Sequence, residues 1–391
     1  MKKPSIAFLL LLIVSCTKQN EITPQLEKEL SKTVFQSESV KKDSYSIETS
    51  IDSSIQNSVN QALLASLKEH EAENGFVIIM ETNTGKIKSL IRLEKKGASN
   101  YIKSKKIAID IPIEPGSLIK PFNLMSLLED KKADTSFVYD AKGGKISFYG
   151  SNIKDSQPGS NKLSLRSAFL NSSNTIFAQA IDNAYKNNPQ QYKDNFEKFG
   201  LSASFSQISC KSNISSPKSN SWAGITLHWM GFGYGLQVTP IQLLTYYNSI
   251  ANNGVMVEPL FLNAIKKDGE LVKEYTKPIV VKTSTSKKSN VLLKSLLRDA
   301  VSKGFCKIVD SEKVSISGYA ATTQINYSEG NGVSKYASSF VGYFPSDKPK
   351  YTVLIYITNP NTAKGDYGSV VAGTVVKGIA EKILIINEYE D

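Results

Sequence analysis

The side chains best suited to covalent chemistry in this sequence are a serine and a lysine, Ser117 and Lys120, three residues apart. They follow the turn signal Pro115-Gly116 and precede an apolar run with helical spacing. Near the first turn of a helix, residues at this spacing lie on one face and can touch. Burial favours a neutral lysine amine, which can accept the proton of a serine hydroxyl. The pair therefore predicts a serine nucleophile with a lysine base, whereas on an exposed helix the same two residues would have no chemical role.

The elements predicted around this pair form an α+β fold. Apolar runs with helical spacing predict helices after Asp52, from Ser117 to Glu129, and over residues 163–170, 175–185, 240–251, 292–301 and 371–386. Runs bounded by turn residues predict strands at 75–80, 87–93, 314–317, 338–344 and 351–358. Residues 134–162 lack periodicity and predict a long surface excursion between two candidate catalytic elements. Helices followed by several antiparallel strands indicate an antiparallel sheet flanked by helices.

The composition argues against several classes of function. The 391 residues are 40% hydrophobic and 21% charged, which is typical of a globular protein. The net charge of +11 arises from scattered lysines without an arginine-rich tract, which favours a solvated surface over a nucleic-acid partner. His70 and His228 are the only histidines, and no cluster of residues has metal-ligand spacing. We therefore expect no metal, no cofactor and no Ser-His-Asp triad. Gly231–Gly235 lacks the preceding buried strand that a dinucleotide site requires.

The first residues indicate export. Lys2 and Lys3 precede an apolar run, Ile6 to Val14, that is too short to span a membrane. The run ends at Ile13-Val14-Ser15-Cys16, which resembles a bacterial lipobox, so Cys16 would be lipidated. An ordinary signal peptide with an incidental cysteine is the alternative.

The interpretation of the first residues as an export signal divides the chain into three parts. We expect residues 1–16 to be a lipoprotein signal peptide, residues 17–44 a flexible tether and residues 45–391 the folded domain. Lipid would then hold the domain on the periplasmic side of a bacterial membrane, either inner or outer. In an exported protein Cys210 and Cys306 could form a disulfide, but the sequence does not say whether they approach each other.

Further segments lead to a family resemblance. Ser172-Ser173-Asn174 follows the Ser117 segment in the chain, and additional matching stretches are Glu81–Ile87, Glu114–Ser117, Gly233–Pro240, Ile250–Gly254 and Phe340–Pro345. In this order they resemble the transpeptidase domain of penicillin-binding proteins, the class B group in particular. The sequence from Trp222 to Pro259 is most similar to the Bacteroidetes branch of this family.

The resemblance implies a role for each matching residue. Ser117 would be the acylated nucleophile and Lys120 its base, while Ser172 would pass the proton to the leaving amine. Asn174 would hold the peptide amide of the substrate. The backbone N–H groups of Ser117 and Thr322 would form the oxyanion hole, with Thr323 beside them in substrate binding. The implied substrates are peptidoglycan stem peptides ending in D-Ala–D-Ala, and β-lactams would be covalent ligands.

The third motif of the family departs from its usual form. The family has Lys-Thr/Ser-Gly-Thr, and the matching stretch here places Tyr319 at the lysine, Ala320 at the hydroxyl residue and Ala321 at the glycine. A phenol cannot replace a positive charge at neutral pH. Loss of one such electrostatic group commonly costs about 2.7–4 kcal/mol of transition-state stabilisation.

Three functions remain compatible with these residues. The first is a D,D-transpeptidase-like enzyme with altered recognition of the substrate carboxylate. The second is a catalytically degenerate homologue that binds stem peptide or a cell-wall synthase partner without turnover. The third is a sensor or hydrolase of β-lactams. Formation of an acyl-serine separates the first and third from the second.

Overall fold

A computed structural model describes residues 22–33, 39–42, 44–97, 100–104, 109–157, 159, 161–220, 222–283, 285–326, 334–365 and 367–390. The expected signal peptide and Cys16 lie outside these residues. The helices are α1 Pro24–Thr33, α2 Ser53–Glu69, α3 Lys120–Glu129, α4 Leu165–Leu170, α5 Asn174–Tyr185, α6 Pro189–Lys198, α7 Thr226–Met230, α8 Pro240–Ala251, α9 Lys287–Ser302, α10 Gly368–Val371 and α11 Gly373–Glu390. Short 3₁₀ turns include Gly116–Ile119.

The strands are short outside the main sheet. They are β1 Ser39–Lys42, β2 Tyr45–Thr49, β3 Asn74–Glu81, β4 Ile87–Lys95, β5 Tyr101–Lys103, β6 Val138–Asp140, β7 Lys145–Phe148, β8 Ser151–Lys154, β9 Lys162–Ser164, β10 Asn213–Ile214, β11 Leu236–Gln237, β12 Val255–Val257, β13 Leu262–Lys267, β14 Glu270–Glu274, β15 Val280–Thr283, β16 Ser317–Gln324, β17 Tyr336–Phe344 and β18 Tyr351–Thr358.

A six-stranded antiparallel sheet organises the chain, with the strand order β16-β17-β18-β3-β4-β5. Successive side chains of a strand point to opposite faces of the sheet, and in β3 both faces are buried. Val77 and Ile79 pack with α2 and α11 on one side. Ile78 and Met80 pack with α3, α5 and α8 on the other. The expected α+β architecture, a sheet flanked by helices, is confirmed.

The edge strand β16 lies further along the chain than the sequence pattern predicted. The apolar residues Val314 and Ile316 are buried, but they precede the strand, which begins at Ser317. Residues 318–324 pair in continuous antiparallel register with β17 although they are rich in alanine and threonine. Pairing with a neighbouring strand, which local hydrophobicity does not report, decides the position of β16.

The segment expected to be a flexible tether contains ordered elements. Helix α1 buries Leu30 completely, and its Glu27 forms an ion pair with Lys273. The Ser31 hydroxyl donates a hydrogen bond to the carbonyl of Gln207, and β1 pairs with β2. The expectation of a tether is therefore wrong for residues 24–33 and 39–42, because a largely polar helix with one buried face can dock on the domain.

The excursion over residues 134–162 is also more regular than expected. Strands β6 and β9 pair with each other, and between them β7 and β8 form a hairpin. Strand β8 ends at Lys154, and the residues that follow it lie at the N-terminus of α5.

Two properties of the described residues bear on the sequence-based expectations. Cys210 and Cys306 are both free thiols, and Cys306 is fully buried. Across the described ranges, no helix combines the length and the apolar character needed to cross a membrane.

Candidate active site

The turn that carries Ser117 is held by a glycine-rich loop. Gly116 has a φ of 53°, and its N–H donates to the carbonyl of Gly233 at 3.1 Å. Gly233, with a φ of 96°, approaches so closely that a Cβ atom there would lie 2.0 Å from the Gly116 carbonyl oxygen. The hydroxyl of Tyr247 on α8 donates to the carbonyl of Leu118 at 2.9 Å. The glycines of the loop thus serve close backbone contact with the Ser117 turn.

The structure brings together the four residues that the sequence identified as catalytic. Lys120 is fully buried, and its Nζ lies 2.8 Å from Ser117 Oγ and 2.9 Å from Ser172 Oγ. The same Nζ lies 2.7 Å from the Ser172 carbonyl oxygen and 2.7 Å from Asn174 Oδ1. Ser117 lies in the 3₁₀ turn Gly116–Ile119 and Lys120 begins α3. Ser172 lies in the connection between α4 and α5, and Asn174 is the first residue of α5. One amine therefore links the two halves of the site.

The protonation of Lys120 suits it to act as a base. Burial disfavours the ammonium form and lowers the pKa of Lys120 to about 7, while the Asp155 carboxylate opposes this effect. A neutral amine has a lone pair that can accept the proton of Ser117 Oγ at 2.8 Å.

We expect the rate of covalent modification of Ser117 to follow the titration of Lys120. Because the neutral amine is the base, the rate should rise as Lys120 loses its proton and should level off above a pH of about 7. The measurement is the rate of acyl-adduct formation from about pH 5 to about pH 9. A rate that is flat over this range, or that still rises steeply near its upper end, would contradict this assignment.

Asp155 is a site residue that the sequence analysis missed. Its carboxylate accepts hydrogen bonds from the Ser173 hydroxyl at 2.9 Å and from the Thr175 N–H at 2.8 Å. Ser173 in turn caps α5, so Asp155 fixes the loop that carries Ser172, whose φ is 53°. No motif marks Asp155, and its position in a long polar excursion between two catalytic elements was the only signal.

Replacement of Asp155 by asparagine should move the pH profile of acylation to lower pH. The carboxylate favours the ammonium form of Lys120, so its removal lowers the Lys120 pKa further. The plateau rate should fall a few-fold at most, since a weaker base accepts a proton less readily. Asp140→Asn is the matched control, because Asp140 lies on the same excursion and accepts from its own turn at Lys142. A midpoint that is unchanged, or that moves to higher pH, would be the contrary result.

Asn174 is engaged at both ends of its amide. Its oxygen accepts a hydrogen bond from Lys120 Nζ at 2.7 Å, and its nitrogen donates to the Lys154 carbonyl at 2.9 Å. Asn174 still lines the cleft above Ser117. Its contacts within the protein are therefore those of a positioning group for Lys120.

The third-motif position is filled by a neutral, buried aromatic residue. Tyr319 is fully buried, and its ring lies 4.7 Å from the rings of both Phe169 and Phe305. Its hydroxyl donates to the Phe169 carbonyl at 2.6 Å, and burial raises the Tyr319 pKa well above its ordinary value. Ala320 and Ala321 line the cleft. The phenol anchors the end of α4 and supplies no charge.

The two threonines after the motif lie on opposite faces of β16. Thr322 lines the cleft, and its hydroxyl accepts from the Gly368 N–H at 2.9 Å. Thr323 is 1% exposed, and its Oγ1 faces Gly116 beneath the nucleophile turn. Adjacent residues of a strand alternate in direction, so a substrate-binding role for the Thr323 side chain is not supported.

The remaining walls of the cleft come from elements that carried no recognisable motif. They are Ser156, Phe305, Tyr367, Gly368 and Ser369. Gly368 packs against the Ala321 carbonyl, where an added Cβ would lie 2.1 Å from the oxygen. This contact closes the cleft between β16 and the start of α10.

Several known proteins have sequences similar to that of this chain. The chain is 27% identical over 349 residues to a probable peptidoglycan D,D-transpeptidase PenA from Neisseria flavescens, covering 87% of this chain and 82% of that protein. It is 25% identical over 353 residues to the peptidoglycan D,D-transpeptidase FtsI from Escherichia coli K12, covering 87% of this chain. It spans only 56% of that second protein.

The fold and the family are shown by two further findings. The structure is similar to the TP domain of penicillin-binding protein 3 from Burkholderia pseudomallei, with a TM-score of 0.71 and 23% identity over 86% of this chain and 96% of that one. A family model for the penicillin binding protein transpeptidase domain matches residues 75–381. These findings confirm the resemblance to the class B group. The chain belongs to the penicillin-binding protein transpeptidase family.

Proposed function

We propose that the chain is a serine D,D-transpeptidase that acts on peptidoglycan stem peptides through an acyl-enzyme at Ser117. The observation that carries the proposal is the buried Lys120 amine, which lies 2.8 Å from Ser117 Oγ and 2.9 Å from Ser172 Oγ. The names of the relatives, which describe action on peptidoglycan, supply the substrate class.

The contacts support a complete route for the protons. Ser117 Oγ attacks the carbonyl carbon of the penultimate D-Ala, and its proton passes to the neutral amine of Lys120. The peptide C–N bond then breaks, and the leaving D-Ala amine takes a proton from Ser172, which Lys120 replaces. An ester joins Ser117 to the remaining acyl group. The amine of a second stem peptide attacks this ester, gives its proton to Lys120, and Ser117 Oγ leaves and recovers a proton.

The oxyanion of each tetrahedral intermediate needs donors beside Ser117. We assign this role to the backbone N–H groups of Ser117 and Thr322, because Thr322 lies on the strand that lines the cleft. Tyr319 stands where the family has a lysine, and its hydroxyl donates a hydrogen bond to the Phe169 carbonyl. In this scheme the base is tuned by burial of Lys120, so no neighbouring cation is required.

The test is the intact mass of the full-length chain, purified in mild detergent, after incubation with benzylpenicillin. A stoichiometric adduct in the parent and none in Ser117→Ala supports the proposal. Transfer is then tested by mixing a D-Ala–D-Ala stem peptide with an amine acceptor and measuring the cross-linked product. If the folded protein forms no adduct, the proposal that it is an enzyme is contradicted.

One observation favours the non-catalytic alternative. The third-motif residues Tyr319, Ala320 and Ala321 offer neither a cation nor a hydroxyl to a substrate. A chain with this motif could bind stem peptide or a cell-wall synthase partner without turnover. Binding of the stem peptide by Ser117→Ala and the parent alike, with no adduct in the parent, would identify this function. Rapid release of hydrolysed penicillin would instead identify a β-lactam hydrolase.

We also propose that the protein is exported and anchored by lipid at Cys16 on the periplasmic side of a bacterial membrane. The lipobox-like residues Ile13–Cys16 and the apolar run before them support this location. Metabolic labelling with a palmitate analogue should mark the parent and not Cys16→Ser. Equal labelling of both proteins would contradict lipidation at Cys16.

A further inference from the structure

Tyr319 and Ser172 share one hydrogen-bond acceptor at the end of α4. The Phe169 carbonyl accepts from the Tyr319 hydroxyl at 2.6 Å and from the backbone N–H of Ser172 at 3.1 Å. The Tyr319 ring is fully buried and packs against the rings of Phe169 and Phe305. The phenol oxygen is therefore held beside the residue that passes a proton to the leaving group in the proposed mechanism.

The side chains of Tyr319 and Ser172 also interact directly. Burial raises the pKa of Tyr319 well above its ordinary value, and a hydrogen bond with the Ser172 side chain opposes this rise. A phenol has one proton to donate, and Tyr319 donates it to the Phe169 carbonyl. The Tyr319 oxygen can therefore only accept from Ser172. A lysine, which the family has at this position, can only donate, so the tyrosine reverses the direction of this hydrogen bond.

The hydrogen bonds of Lys120 limit which hydroxyl its amine can serve. The neutral amine has two N–H bonds and one lone pair, and four oxygens lie within 2.9 Å of it. Two of these, the Ser172 carbonyl oxygen and Asn174 Oδ1, have no proton and lie at 2.7 Å. The Asn174 amide keeps this orientation because its nitrogen donates to the Lys154 carbonyl at 2.9 Å. These two acceptors occupy both N–H bonds and leave the lone pair for one hydroxyl.

Two hydroxyls compete for the Lys120 lone pair. Ser117 Oγ lies at 2.8 Å and Ser172 Oγ at 2.9 Å, so distance alone does not decide between them. If Ser172 donated its proton to Lys120, Ser117 would lose its base. The Tyr319 oxygen is a second acceptor for the Ser172 proton, and its use leaves the lone pair to Ser117.

We propose that Tyr319 is a positioning residue, which accepts the Ser172 hydroxyl proton and thereby reserves the Lys120 lone pair for Ser117. The inference rests on the proposed acyl-enzyme function and assigns a role to the residue that departs from the family motif. Tyr319 itself gains and loses no proton. Once Ser117 has given its proton to Lys120, the ammonium has a third N–H for Ser172 Oγ, and Ser172 turns its own proton to the leaving group.

The experiment uses the full-length chain in mild detergent and the thioester of N-benzoyl-D-alanine with thioglycolic acid. Ser117 Oγ bonds to the thioester carbonyl carbon, and its proton passes to Lys120 and then to solvent. The C–S bond breaks, and the thiolate leaves without a proton, so Ser172 is not needed as a proton donor. Water then hydrolyses the ester and restores the Ser117 hydroxyl. The kcat/KM for thiol release, corrected for release in the presence of Ser117→Ala, reports acylation.

Tyr319→Phe removes the phenol oxygen and keeps the buried ring. The Phe169 carbonyl keeps the Ser172 N–H as a donor, so folding should be preserved. The Ser172 proton then turns to the Lys120 lone pair and stabilises the neutral amine. The kcat/KM should fall roughly 3- to 10-fold, as expected for one hydrogen bond. Its pH midpoint should move below the parental value of about 7, since Asp155, the charged group that acts on Lys120, is unchanged.

Tyr343→Phe is the matched control for the loss of a buried phenol oxygen. Tyr343 is fully buried on β17, the strand that pairs with β16. This variant should keep the kcat/KM and the pH midpoint of the parent. Thermal unfolding of each variant shows whether it is folded at the assay temperature.

The same substitution in a Ser172→Ala background separates proton direction from structural support. With no Ser172 proton to direct, Tyr319→Phe should change kcat/KM by less than about 2-fold and should leave the midpoint in place. If Tyr319 only supports the end of α4, the same loss appears in both backgrounds, and this result overturns the inference. An unchanged rate or midpoint in Tyr319→Phe alone also overturns it.

Failure of the proposed function has a different signature. If the parent releases no more thiol than Ser117→Ala, no acyl-enzyme forms, and the inference falls with the proposed function. If the parent acylates and the two backgrounds respond alike, the acyl-enzyme at Ser117 stands and only the role of Tyr319 is wrong.

Discussion

Replacement of Lys120 by methionine is expected to slow formation of the Ser117 adduct by roughly 10²- to 10⁴-fold, the usual contribution of a general base. Methionine has a similar length and tolerates burial, but it cannot accept a proton. The residual reaction should also lose the pH dependence centred near 7, because that dependence belongs to the amine. The measurement is the adduct rate by intact mass over the same pH range.

The matched control for this variant is Lys294→Met. Lys294 is a partly buried lysine whose pKa is also lowered by burial, and its Nζ contacts the Ala251 carbonyl and Asn253. Its loss should leave both the rate and the pH profile of acylation near those of the parent. Thermal unfolding of both variants shows whether they are folded at the assay temperature. A folded Lys120→Met that acylates within a few-fold of the parent would exclude Lys120 as the base.

Each half of the catalytic constellation could be predicted from the sequence because its two residues are close together in the chain. Ser117 and Lys120 fall on one helix face, and Ser172 and Asn174 flank the start of another helix. The meeting of the two pairs at the Lys120 amine is a tertiary contact. That contact was anticipated through the family resemblance and could not be derived from spacing alone.

The parts that were missed depend on pairing and packing between distant segments. Strand β16 contains alanines and threonines with little apolar periodicity, and it forms because β17 offers a ladder in register. Helix α1 has a polar sequence, and the surface that buries its Leu30 is supplied by residues far along the chain. Asp155 acts on Lys120 through space, and only the β7–β8 hairpin brings it there. Local patterns contain no record of such partners.

The second large effect is expected from a substitution at Gly233, which packs against the turn that carries Ser117. Gly233→Ala should lower the free energy of unfolding by about 3 kcal/mol, which combines the strain of a positive φ with a steric conflict. The new Cβ would lie 2.0 Å from the Gly116 carbonyl oxygen and 2.4 Å from its carbon, so one backbone segment must move. Gly116 precedes Ser117 directly, and a displacement of about 1 Å there should cost roughly 10²-fold in acylation.

Gly235→Ala separates the steric conflict from the conformational strain. Gly235 belongs to the same loop and has a φ of 69°, but an added Cβ meets nothing within 4 Å. This variant should lose only about 1 kcal/mol of stability, from the positive φ, and should acylate nearly as fast as the parent. The comparison uses chemical denaturation for stability and intact mass for the adduct rate. Equal losses in the two variants would mean that the loop tolerates a side chain against Gly116, and that the close contact between Gly233 and Gly116 does not position Ser117.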